Sequence, residues 1–148
     1  MSEWWAAAML VSGGLFAGGV VSIAWERIPA WRGTDASHFR TAFAHTLRRV
    51  DRLQPALLSL CLVSTIGFAL TSDGVPRMLA VMAAAGFFAV LVGSVAVLVP
   101  IQRRLVAAGS DQSSANTDRL RARWLRGHGI RTIVALVFFV LAAVAAVM

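Results

Sequence analysis

The chain has 148 residues, 58% of them hydrophobic and only 14% charged, with a mean hydropathy of +0.73. A soluble domain carries roughly a quarter of its residues as charges, so this composition calls for lipid as the main solvent. The net charge of +7 rests on Arg alone, and a single Cys, Cys61, sits in an apolar run. One thiol forms no internal disulfide and argues against disulfide-exchange chemistry, which needs a reactive pair.

In chain order, the first expected span covers 4–25 and holds no charge. The segment before it lacks the basic stretch of a signal peptide, so the span is read as a mature helix. Gly14 and Gly18 form a Gly-x-x-x-Gly pair, expected to serve close helix packing within one bundle. Glu26 follows Ser12 and Gly19 at seven-residue steps and Ser22 at four, which predicts an inward-facing carboxylate. Two readings fit it: a catalytic base or buried partner of an Arg, and an interface residue paired with Arg27 or Arg131.

The first connection is amphipathic. Phe39, Phe43 and Leu47 recur at helical spacing after a cap candidate, Asp35 or Ser37. His38 and His45 fall two turns apart on one flank, about 10 Å along the axis and too far to share a metal. Trp31 is expected in an interfacial belt with Arg103 and Arg104. A second span is expected over 55–72 and a third over 75–101, with Pro55 and Pro76 in their first turns and Pro100 where the third leaves the core or bends. Ala85, Ala89 and Gly93 repeat a small-residue spacing of four. The third connection is expected to hold a polar turn over 110–114, then a short helix with Leu120 and Trp124, capped by Asn116 or Thr117. Gly127-His128-Gly129 should break that helix before a fourth span over 130–148. The fold class is therefore an all-α four-transmembrane-helix bundle with amphipathic connecting helices, in a single domain.

Arg counting orients it. The first and third connections hold thirteen of the fourteen Arg, and only Arg77 lies in the second. By the positive-inside rule these connections face the cytoplasm and both termini lie outside, in the cell membrane. The charge is thereby explained by topology and anionic inner-leaflet lipid, without nucleic acid. The spans lack the midplane charge expected of an ion-coupled transporter. Instead Trp25, Glu26, Gln54, Gln102, His128 and Arg131 gather at the cytoplasmic ends of the four spans. Glu26, Gln54, Gln102 and His128 are not residues that a belt favours, so this layer is where chemistry is expected.

The glycine-rich first span ending in Trp25-Glu26, the segment Val99-Pro100-Ile101-Gln102-Arg103-Arg104-Leu105, and Trp124-x3-His128-x2-Arg131-Thr132 together resemble the four-span membrane family that includes the anthrone oxygenases. That family usually carries Asn where Gln102 stands. The resemblance implies oxidation of a flat, lipophilic aromatic or quinol-type ketone by O₂, with no cofactor evident. In those terms His128 is the candidate base, Glu26 orients or replaces it, and Arg131 stabilises the enolate. Trp25 and Trp124 would stack on the substrate, and Gln54 and Gln102 would hydrogen-bond its oxygens. The rival reading is a non-catalytic module that binds lipid or a protein partner through its Arg-rich face.

Overall fold

The computed structural model describes residues 2–50, 53–107 and 113–148. It places four long apolar helices, α1 (Ser2–Arg32), α3 (Leu53–Thr71), α4 (Gly74–Ala107) and α5 (Ser114–Val147), and one shorter helix, α2 (Ala36–Val50). α1 packs on α3 and α5, and α4 packs on the same two, which closes a ring of four antiparallel neighbours. The chain is an all-α, multi-span membrane protein.

Lipid tails are as apolar as the helix surfaces, so close packing holds such a bundle together rather than hydrophobic burial. Met9, Phe16, Leu58, Phe87, Ala135 and Ala142 fill the core between the four helices. Gly86 allows α4 to approach α5: a Cβ there would run into the Phe138 ring. The expected small-residue stripes are packed only in part. Gly14 lies against the Phe139 ring, whereas Gly18 meets open space, and Ala85, Ala89 and Gly93 face outward. Steps of four drift by roughly 40° each on an α-helix, whereas the packed positions Ala80, Ala83, Phe87 and Val90 alternate three and four.

The turn between α3 and α4 closes at Gly74, whose φ of +60° favours glycine. Asp35 caps α2: its Oδ1 accepts from the Ser37 and His38 backbone N–H groups at 2.9 and 3.0 Å, and its Oδ2 pairs with His38 Nδ1 at 2.6 Å. Ser113 caps α5 rather than Asn116 or Thr117, accepting from the Asn116 N–H. The expected break at Gly127-His128-Gly129 is absent, because α5 runs unbroken through it; a helical Gly costs only about 1 kcal/mol, which packing readily offsets. Of the expected polar turn, 110–112 lies outside the described residues.

Two π turns interrupt the α pattern, Ile23–Arg27 in α1 and Ser94–Leu98 in α4. Each ends two residues before a proline, Pro29 and Pro100. A proline has no N–H for the carbonyl four residues back and its ring crowds that carbonyl, so a widened turn is the local solution. The consequence for α4 is rotational. Val90, Ser94, Leu98 and Gln102 all turn inward, three successive steps of four, because the π turn absorbs the drift.

At the Arg-rich end α2 folds across the bundle. Phe39 and Phe43 are fully buried against Trp31 and Trp124, with Trp31 meeting both Phe rings edge-on at 5.8 and 5.5 Å. Trp31 is thus a core residue rather than a belt residue. Arg121 donates to the Trp31 and Thr34 carbonyls at 3.3 and 2.6 Å and to Asp118 at 2.8 Å, pinning the turn between α1 and α2.

Candidate functional site

Trp124, His128 and Arg131 stand four and three residues apart on α5, and this spacing puts them on one face. The Trp124 and His128 rings stack at 4.9 Å with 18° between their planes. His128 is fully buried, and both of its ring nitrogens are engaged. Nε2 lies 3.1 Å from the Val20 carbonyl, which only accepts, so Nε2 carries the proton. Nδ1 lies 3.1 Å from Arg131 Nη2, which only donates, so Nδ1 is the acceptor. The imidazole is therefore neutral and clamped between α1 and the Arg131 guanidinium.

The same Nη2 donates to Gln54 Oε1 at 3.0 Å, which joins α3 to the cluster. Bonding through its oxygen leaves the Gln54 amide nitrogen buried without a partner among the described residues, and Trp124 Nε1 shares that condition. A buried N–H without a partner costs roughly 1–3 kcal/mol, and such donors in a native site point to a ligand or a water. Gly19 makes room for the amide, since a Cβ there would lie 3.1 Å from Gln54 Nε2.

These groups line a cavity of about 80 Å³ inside the Arg-rich half of the bundle. Phe16, Leu58, Leu91 and Leu98 give its apolar walls; Gln54, Ser94, Gln102, Trp124 and Arg131 give its polar ones. Among the described residues the lining holds one cation and no carboxylate. His128 is covered by Trp124 and Arg131, which form the wall. Among the described residues no three His, Cys, Asp or Glu side chains gather to hold a metal ion.

The structure thus unites His128, Arg131, Trp124, Gln54 and Gln102. It does not bring Trp25 or Glu26 to them. Trp25 is 85% exposed, and the Glu26 carboxylate points outward beside Arg27 at 3.4 Å. Glu26 thus takes the pairing with Arg27 that is one of its two expected readings. Its expected inward position extrapolates a seven-residue step from Gly19 across the π turn, where that register no longer holds. Ser94, Leu98 and Trp31 in the wall escaped the sequence reading; Pro100, just after the π turn, is the signal that would have found the first two.

Fold and site together define a multi-pass four-helix membrane protein with a donor-lined internal cavity. Residues 39–141 match the family model described as anthrone oxygenase, and the chain belongs to that family. The match takes in Gln54, Gln102, Trp124, His128 and Arg131 and leaves out α1 with Trp25 and Glu26. No curated protein and no solved structure compared with the chain matches it.

Proposed function

We propose that the chain is a membrane oxidoreductase that oxidises a lipophilic aromatic ketone or quinol-type substrate with O₂ in this cavity. The observation that carries the reading is the pair of buried donors without a partner among the described residues, Gln54 Nε2 and Trp124 Nε1, set beside the Arg131 charge in a largely apolar cavity. Fixed donors beside a cation suit a carbonyl oxygen that becomes an enolate oxygen, and exclusion of water strengthens them.

The chemistry balances on that basis. The activated C–H of an anthrone-like ketone is lost as a proton while the donors hold the enolate oxygen. The carbanion's electrons reduce O₂, a C–O bond forms, the peroxide anion takes back one proton, and loss of water from the resulting hydroperoxide leaves a second carbonyl. One O₂ is consumed and one water released per quinone. His128 acts here as a positioning residue: it holds Arg131 through Nδ1 and does not line the cavity. The proton departs toward the open groove at the Arg-rich end, which shares Leu47, Val99 and Gln102 with the cavity. Glu26 and Trp25 take no part. The Arg distribution supports a placement of this end at the cytoplasmic face of the cell membrane, against anionic lipid.

The test is aerobic incubation of the purified protein in liposomes with anthrone, following anthraquinone formation. Conversion above protein-free liposomes supports the reading; equal rates end it. The rival reading, a lipid- or partner-binding module, draws on the aromatic plug of Trp31, Phe39 and Phe43 at the bundle mouth. It foresees no turnover and a cavity indifferent to Gln54 substitution.

A further inference from the structure

The cavity is small. Ligand pockets run from roughly 300 Å³ upward, and about 80 Å³ does not house three fused rings. Beside it, on the outer flank of the bundle between α4 and α5, lies a groove of about 290 Å³. Ser94, Leu98 and Arg131 line both spaces. Leu98, only 3% exposed, is the apolar partition between them.

We propose that this groove is a membrane-side entrance and Leu98 its gate, so that a flat apolar molecule dissolved in the bilayer slides between α4 and α5 and occupies the merged volume. The inference rests on the reading that the cavity takes a lipophilic substrate. Three observations support it. The groove's mouth is made of small or outward-facing apolar residues, Ala89, Gly93, Val97 and Ile130, a surface that faces lipid and offers nothing to a soluble ligand. Leu98 closes the π turn, where the regular hydrogen-bond ladder is already rearranged and the side chain can shift without breaking an α-helix. Across from it Gly127 leaves space, since a Cβ there would fall 2.8 Å from Leu98 Cδ2. Arg131 lies in the wall of both spaces, so a molecule passing Leu98 stays beside the residue whose charge would hold its oxygen.

The experiment uses bromoanthracene, a flat tricyclic hydrocarbon without oxygen whose bromine quenches Trp fluorescence. Replacing Trp4, Trp5 and Trp25, none of which lines the cavity, with Phe leaves Trp31 and Trp124, both in the cavity wall, as reporters. In liposomes Leu98→Ala should quench several-fold faster than the parent. Ala89→Phe, which plugs the mouth from the lipid side and leaves the core untouched, should quench several-fold slower. Equal rates in all three, or no quenching in any, overturn the entrance. Anthrone turnover is scored separately. The expected quenching pattern without turnover would retain the entrance and sink the oxygenase reading; turnover without that pattern would do the reverse.

Discussion

His128 accepts a hydrogen bond from Arg131 through Nδ1 at 3.1 Å, while its Nε2–H is spent on the Val20 carbonyl. The only lone pair of the imidazole is therefore committed to orienting the cation. His128→Ala should destabilise the bundle by about 2–4 kcal/mol, from a core void and an orphaned carbonyl. Activity should fall with the pH–rate profile unchanged in shape; loss of a titrating limb would show instead that His128 is the base.

Arg131→Lys retains the charge but not the planar guanidinium that reaches Nδ1 and Gln54 Oε1 together. Turnover should drop about tenfold to a hundredfold, the worth of one charged hydrogen bond, with normal membrane insertion. Comparison of kcat in matched liposomes checks this.

Gly19→Ala would bring a methyl to 3.1 Å from Gln54 Nε2. The amide must give way, so activity should fall several-fold while thermal stability changes little. Turnover and melting temperature, measured together, separate this from a packing defect.

Much of this site was legible in the chain. Trp124, His128 and Arg131 share a helical face by spacing alone, and the topology of four spans brings Gln54 and Gln102 to the same end. Glu26 was misplaced because the π turn before Pro29 is a local response to a missing N–H, and a heptad count passes straight over it; Trp25, assigned by the resemblance, lies in the same turn. The same response before Pro100 keeps Gln102 inward and puts Leu98 in the wall. Gly127 and Gly129 read as helix breakers, yet α5 continues, since Gly127 serves the close approach of Leu98. Spacing reports which residues share a face; it does not report which face has a neighbour.

Removing the cause of that π turn is a direct probe. Pro100→Ala supplies the missing N–H, and closing the segment as a plain α-helix of the same length should rotate Gln102 by about 100° relative to Val90. Misplacing site groups by even ~1 Å costs about a hundredfold, so turnover should be lost while the protein still inserts. Retained activity would show that Gln102 and Leu98 do not need the π turn.

The α2 cap has its own pH signature. The Ser37 hydroxyl, then the His38 backbone N–H and ring, hold the Asp35 carboxyl well below its ordinary value of 3.8. A depressed carboxyl contributes fully above the unfolded value and loses that contribution only as pH falls through the folded one. Amide protection at Ser37–Phe39 should therefore stay constant from neutral pH down to about 4 and fall at every such pH in Asp35→Ala. Unchanged protection in Asp35→Ala would show that the cap does not rest on this carboxylate.

The central claim is that the Arg131 charge, with the Gln54 and Trp124 donors, stabilises an enolate that O₂ then oxidises. The most direct measurement is O₂ uptake against quinone formed, with anthrone as substrate, for the wild-type protein and Arg131→Ala in liposomes. The expected result is one O₂ per quinone in the wild type and a loss of about 100- to 1,000-fold in the variant, as for removal of an oxyanion-hole donor. A correctly inserted Arg131→Ala protein that oxidises anthrone at the wild-type rate would contradict it.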